Sequence, residues 1–155
     1  MPLRATSALS VRQPWAGLLL EGVKKFEVRS WSPGDTKYVF LHASAARAPG
    51  LADERSNPLY RRALHVADME DQSGWVLGAF IGVVEVERIW KPGHHPRSLS
   101  KLNEYLCGPR RGMFLWEIGR RWELATPIAC KGKLNLWEPP SVIRRRLERA
   151  KFRVM

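Results

Sequence analysis

The chain has 155 residues, of which 45% are hydrophobic, so it is large enough for one domain with a real core and is not a disordered segment. No apolar run approaches the roughly 18 residues of a membrane-spanning helix, and the N-terminal MPLRATSALSVRQPW lacks the pattern of a secretory signal. The two cysteines, Cys107 and Cys130, do not indicate a disulfide scaffold and lack metal-ligand spacing. We therefore expect a cytoplasmic monomer with no membrane partner, no metal and no cofactor.

The net charge predicts an anionic partner. The 26 lysines and arginines outnumber 15 acidic residues, which gives a formal charge of +11. Such a field attracts polyanions, with nucleic acid as the first candidate. The seven tryptophans add a second sign, because aromatic faces beside basic side chains stack nucleic acid bases.

The first part of the chain predicts three strands around a short helix. Pro14 suits the first turn of a helix and Gly22 its left-handed end, so we expect a helix through Leu20. The strands are marked by alternating or β-branched residues: Ala8–Val11, Lys25–Trp31 and Tyr38–Ala43.

The strand Lys25–Trp31 carries an unusual polar face. Alternate residues of a strand share one face, which places Lys25, Glu27, Arg29 and Trp31 together. Two cations, an anion and an indole are typical of a cleft wall that binds a planar, negatively charged ligand. The face therefore predicts a site for a nucleotide or a nucleic acid strand.

The second part predicts two more helices and several more strands. Apolar residues at helical spacing indicate a helix from about Pro58 to Met69, and a shorter helix is expected over Ser98–Leu106. The expected strands are Val76–Trp90, Met113–Ile118, Trp122–Leu124, Ile128–Cys130 and Leu134–Trp137. Five to seven short strands with two to four helices, and no repeating βαβ unit, predict an α+β, β-rich barrel or half-barrel with helices at its rim.

Two glycines and one turn in this part of the chain make local predictions. Gly78 and Gly82 indicate a bulge or a close approach of another backbone. Lys131-Gly132-Lys133 is typical of a tight turn between two strands, and its two cations also suit a phosphate.

The C-terminal segment predicts a basic helix. Pro139-Pro140-Ser141 ends the sheet, and Ile143, Leu147, Ala150 and Val154 then follow at helical spacing. The other positions carry six cations and one acid, a balance that favours contact with a polyanion. We therefore divide the chain into a domain over residues 1–140 and a basic helix over 141–155, packed on it or appended to it.

The motifs LSVRQPWA, GVKKFEVRSW, YVFLHAS, VLGAFIGVVEV, FLWEI and PIACKGKLNLW resemble the ASCH domain family, whose fold is similar to that of PUA domains. The resemblance covers about Leu9 to Trp137. It implies a pseudo-barrel with a cleft lined by the Gln-Pro-Trp-Ala turn and the Lys-x-x-Glu-x-Arg strand. It also implies binding of RNA or DNA, and in some bacterial members hydrolysis of acetylated cytidine or a ribonuclease activity.

The expected ligand is RNA, another single-stranded nucleic acid or a nucleotide. The residues expected to contact it are Gln13, Trp15, Lys24, Glu27, Arg29, Trp31, Ser44, Lys131, Lys133, Arg144 and Arg145. Structural alternatives stay open for five of them, and Lys131 and Lys133 also suit an ordinary solvated hairpin. Gln13 suits a cap of the first helix, Trp15 an anchor of that helix in the core, and Arg29 an ion pair with a neighbouring glutamate.

The enzymatic alternative centres on Lys24 and Glu27. The resemblance places Lys24 where the deacetylating members keep a lysine, but Glu27 stands where they keep a threonine. Glu27 would then be the base and Lys24 would stabilise an oxyanion. A further glutamate of those members could correspond to Glu104.

Overall fold

The computed structural model describes residues 4–155 as one curled, mixed sheet with helices at its rim. The strands are β1 Ser7–Val11, β2 Phe26–Arg29, β3 Tyr38–Ala43, β4 Ala79–Trp90, β5 Phe114–Ala129, β6 Leu136–Trp137 and β7 Phe152–Val154. The helices are α1 Trp15–Leu20, α2 Leu51–Glu54, α3 Pro58–Val66, α4 Lys101–Cys107 and α5 Ser141–Arg149. The predicted fold class, a β-rich half-barrel consistent with a PUA-like barrel, is confirmed.

The sheet does not close on itself. Its order is β2-β5-β4-β3-β1-β6, with β7 paired to β5. Strands β1 and β3 are parallel, whereas the other pairs are antiparallel. Strand β2 lies at one end of this order and β6 at the other, and β6 pairs only with Ala8 and Leu9 of β1. An opening therefore remains between β2 and the end of β1 that β6 does not cover.

Helices cover the sheet on both faces, because β3 is apolar on both. Val39, Leu41 and Ala43 pack in a cluster with residues of α1, whereas Phe40 packs in a second cluster that includes Leu147 of α5. A strand that is buried on both sides reads as a continuous apolar run, as YVFLHA does.

The predicted role is confirmed for Gly82 and wrong for Gly78, which lies outside the strand and meets no close backbone. A Cβ on Gly82 would lie 2.2 Å from the carbonyl oxygen of Trp122, so only glycine lets β4 and β5 approach this closely. The pairing register of β4 with β5 shifts between Phe80 and Gly82. Gly78 adopts a left-handed conformation just before β4 begins.

Several predicted boundaries were wrong. Most of Met113–Ile118, all of Trp122–Leu124 and most of Ile128–Cys130 belong to one strand of 16 residues, whose pairing register with β4 shifts. Residues Lys131–Lys133 do not join a hairpin, because β6 pairs with β1 and not with β5. Strand β2 is shorter than predicted and spans only Phe26–Arg29.

The C-terminal segment is only partly helical. Helix α5 ends at Arg149, because Ala150 adopts an extended conformation, and Phe152–Val154 then pairs with β5 as β7. Val154 is therefore not on the apolar face of the helix, as its spacing had predicted, and it is exposed. Leu147 is buried and anchors α5 on the sheet.

Candidate nucleic-acid site

A cavity of about 770 Å³ occupies the opening between β2 and β1. Its walls come from the end of β1, the end of β3, strand β2, helix α4 and the segment before β6. Five cationic side chains and one carboxylate line it: Arg12, Lys24, Arg29, Lys131, Lys133 and Glu27. The cavity therefore carries a strong positive charge at the place where the sheet fails to close.

Lys24 and Glu27 are buried at the free edge of β2. The Lys24 ammonium donates to the carbonyl oxygen of Phe26, and the Val28 amide donates to Glu27 Oε1 at 3.2 Å. These two backbone groups lie on the side of β2 that has no neighbouring strand. The pair thus satisfies an unpaired strand edge and places one cation and one anion in the cavity wall.

Arg29 spans the opening. Its Nε and Nη2 groups donate to Oε2 of Glu27 at 3.0 and 2.8 Å, and Nη2 also donates to the carbonyl oxygen of Ser10 in β1 at 3.0 Å. The guanidinium therefore ties β2 to β1, and its side chain remains 25% exposed. The two interpretations given for Arg29, an ion pair and a ligand contact, are compatible with this position.

A hydrogen-bond chain lies beneath the basic segment before β6. His42 is fully buried, and its Nε2 lies 2.7 Å from the carbonyl oxygen of Cys130. A carbonyl only accepts, so Nε2 carries the proton and the neutral ring accepts at Nδ1 from the Ser10 hydroxyl, at 3.0 Å. The Ser10 oxygen in turn accepts from Trp137 Nε1, at 3.1 Å. Burial lowers the pKa of His42, which favours this neutral form.

The segment Lys131–Asn135 forms the outer rim of the cavity and is exposed throughout. It is held down at Gly132, where a Cβ would lie 2.7 Å from both the His42 ring and the Ser10 hydroxyl oxygen. Leu134, 89% exposed, is an apolar side chain at the mouth of the cavity. The rim therefore presents Lys131, Lys133 and the apolar Leu134, and its backbone packs closely on His42 and Ser10 at Gly132.

Trp15 also forms part of the cavity wall. It is half-buried and packs edge-on against Tyr60 of α3, with ring centroids 6.3 Å apart, while also lining the cavity. The indole is thus an anchor of α1 and a cavity wall at the same time.

The structure brings most of the predicted residues together. The cavity is lined by Trp15, Lys24, Glu27, Arg29, Ser44, Lys131 and Lys133. Lys25, which shared the polar face in the sequence, is exposed and does not line it.

Four predicted residues lie elsewhere. Gln13 is buried, accepts from the Gly17 amide at 2.8 Å and donates to the carbonyl oxygen of Val76, so it fixes the start of α1. Trp31 packs edge-on against Trp116, 5.0 Å between centroids. Arg144 and Arg145 are on α5, outside the cavity lining.

Sequence reasoning did not select Arg12, Ser10 and Leu134 as site residues. Alternation along β1 could have placed Ser10 and Arg12 on one face, but nothing in the sequence indicates that Leu134 is exposed. Cys107 also lines the cavity, and burial raises the pKa of its thiol, which opposes a role as a thiolate nucleophile. Glu104 is exposed on α4 and outside the cavity lining.

Within residues 4–155, no group of three or more His, Cys, Asp or Glu is arranged to hold a metal ion. In the same part of the chain, no helix has the length and apolar character to cross a membrane.

The protein is thus a curled half-barrel with a basic cleft between β2 and β1. The model of the ASCH domain matches residues 9–131, and the chain belongs to this family. It is also similar to the human protein Activating signal cointegrator 1, with 24% identity over 135 residues. The match covers 87% of this chain but only 22% of that relative, so the chain corresponds to a small part of it.

Proposed function

We propose that the protein binds single-stranded nucleic acid, in the first place RNA, by taking one nucleotide into the cavity between β2 and β1. The observation that carries the proposal is a cavity of about 770 Å³ that is lined by five cationic side chains and one carboxylate. A volume of this size suits a small-molecule group such as a nucleotide. Membership of the ASCH family, which is associated with nucleic acid binding, supports the same ligand.

The lining residues differ in exposure. Arg12, Lys131 and Lys133 are exposed at the rim, where they would hold phosphates of a passing strand. Trp15 would offer an aromatic face to a base, and Leu134 an apolar contact. A base seated between them needs no defined sequence, because every base has a stacking face.

Arg29 and Ser44 are half-buried polar residues of the lining. The guanidinium of Arg29 has donors beyond those given to Glu27 and Ser10, and these would read the base edge or its phosphate. Glu27 would act by holding Arg29 and Lys24 in place.

Binding is tested by fluorescence anisotropy with a labelled single-stranded RNA of about 20 nucleotides over a series of salt concentrations. We expect a log–log slope of several units, and a slope smaller by about 1 to 2 for Lys131→Gln/Lys133→Gln. The control Arg61→Gln/Arg62→Gln removes the same charge from exposed positions of α3 and should retain the slope. A flat salt response of the unaltered protein would refute the proposal.

Hydrolysis of a modified nucleoside or of RNA is the alternative, with Glu27 as base and Lys24 as oxyanion donor. The contacts of Glu27 favour binding instead, because its oxygens already accept from Arg29 and the Val28 amide. Turnover assays with acetylated cytidine and with RNA separate the two. Turnover that Glu27→Gln abolishes, with RNA affinity retained, would establish the enzyme.

We further propose that the protein acts as a monomer in the cytoplasm. Both cysteines are free in the structure, which suits a reducing compartment. Size-exclusion chromatography with light scattering tests the monomer, and microscopy of the tagged protein tests its location.

A further inference from the structure

A second basic surface lies at the C-terminal end of the chain, outside the matched residues 9–131. It consists of the exposed side chains of Arg145, Arg146, Arg149 and Lys151, which we call the C-terminal basic surface. The nearby cations Arg144 and Arg153 are engaged, the first with the carbonyl oxygen of Thr6 and the second with Glu123. The only acid on α5 is Glu148.

This surface is separate from the cavity. Arg144 contacts Thr6, whereas Ser10 of the same extended segment lines the cavity. Four residues of extended chain span about 13 Å, so α5 begins near the opposite end of β1 from the cavity. The two basic regions therefore offer a bound strand two points of attachment.

A second, smaller cavity adjoins this surface. It has a volume of about 280 Å³ and lies between α5 and β5, and Arg146, Lys151 and Thr126 line it. The amide of Ala125 donates to the carbonyl oxygen of Lys151 and holds the two segments together. Two basic residues and one threonine thus line one concave site, and Arg145 and Arg149 lie on the same helix.

The buried apolar side of α5 argues against its insertion into a membrane. Ile143, Leu147 and Ala150 pack in the cluster beneath the helix. A helix that lies on a membrane needs an exposed apolar face to insert. On α5 the one exposed large apolar side chain is that of Val142.

We propose that the C-terminal basic surface binds the sugar-phosphate backbone of the same nucleic acid whose nucleotide occupies the cavity. The inference rests on the proposed function of the cavity. Its consequence is a dependence on length: a short oligonucleotide fills the cavity alone, whereas a longer one engages both regions and gains affinity through their linkage. Arginine side chains on a helix supply such contacts without base specificity.

The test compares the variant Arg145→Gln/Arg146→Gln/Arg149→Gln with a matched control, Arg55→Gln/Arg61→Gln/Arg62→Gln. Each removes three exposed arginines and the same total charge. Anisotropy is measured with single-stranded RNAs of about four and about 20 nucleotides, at several salt concentrations. Circular dichroism establishes that both variants are folded.

We expect the α5 variant to bind the longer RNA at least about tenfold more weakly, with a salt slope smaller by about 2, and the short RNA as the unaltered protein does. Equal affinity of both variants for the longer RNA would overturn the inference and leave the cavity proposal intact. Failure of the unaltered protein to bind either RNA would refute the cavity proposal itself. Unchanged RNA binding together with loss of binding to phosphatidylserine vesicles would assign the surface to a membrane and overturn the inference.

Discussion

The buried pair Lys24 and Glu27 makes a quantitative prediction about stability. Glu27→Gln replaces a carboxylate with a neutral amide of the same size, and it leaves the Lys24 ammonium without its counter-ion. The Lys24 nitrogen lies 3.9 Å from Glu27 Oε1, and the two side chains are only 5% and 7% exposed. Lys24 therefore has little contact with water that could replace the lost carboxylate.

At this distance the gross attraction is about 4 kcal/mol for an effective dielectric constant near 20. Removing one partner of a buried pair costs about 3 to 5 kcal/mol. We take about 3 kcal/mol for Glu27→Gln, since Arg29 is partly exposed and regains water. Lys24→Met costs about 1 kcal/mol, because Glu27 keeps its bonds to Arg29 and to the Val28 amide. The double variant should lose about 2 kcal/mol, less than the sum of the single variants.

Urea unfolding followed by tryptophan fluorescence measures these free energies of unfolding. The control is Glu123→Gln, which removes an ion pair that is shorter, 2.6 Å to Arg153, but has side chains 29% and 70% exposed. We expect a loss below about 1 kcal/mol for this control. Additive losses in the Lys24 and Glu27 cycle, or a larger loss at Glu123, would refute the argument that burial sets the strength of the pair.

Three further predictions concern residues around the cavity and the core. Because burial lowers the pKa of His42, the unfolded chain binds more protons below about pH 6.5, and stability should fall as the pH drops from about 7 to 5 by at most about 1.4 kcal/mol per pH unit. Urea unfolding of His42→Gln should show a shallower fall. Gly132→Ala should cost about 1 to 3 kcal/mol in stability and weaken RNA binding, because its Cβ would collide with His42 and Ser10. Tyr60→Phe should be neutral or stabilising by about 1 kcal/mol in thermal unfolding, because the buried hydroxyl has no hydrogen-bond partner among residues 4–155.

Each of these three has an outcome that contradicts it. Equal pH slopes for His42→Gln and the unaltered protein would show that His42 does not cause the acid loss. Gly74→Ala is the control for Gly132→Ala, because nothing lies within 4 Å of its added Cβ. Equal losses of stability in Gly132→Ala and Gly74→Ala would contradict the predicted steric clash at Gly132. A loss above about 1 kcal/mol for Tyr60→Phe would mean that the hydroxyl is bonded.

Strand alternation predicts only some of the residues of β2 and its flank that line the cavity. Glu27 and Arg29 share a face, as predicted, and both line the cavity. Lys25 does not, although it has the same parity. The cation at that end is Lys24, which precedes β2 and reaches along its free edge to the carbonyl oxygen of Phe26. Alternation describes residues inside a strand and carries no information about a side chain that folds back from outside it.

The remaining differences arise from contacts between distant segments. Strand β5 looked like several short strands, yet it pairs with β4 over most of its length. Helix α5 looked longer than it is, because Val154 matched the helical period. The pairing of β7 with β5 determines the end of the helix, and no local pattern reports on that pairing.

The sequence by itself determined the β-rich fold class, the course of the first helix and the basic character of the site, since these depend on local patterning and composition. Tertiary structure alone decided that the sheet stays open between β2 and β1, that Arg29 bridges this opening, and that Gly132 seats the basic rim on Ser10 and His42. It also separated the arginines of α5 from the cavity. The physical reason is the same in each case: these features join residues that are distant in the chain, and their geometry follows from how the strands curl and pack.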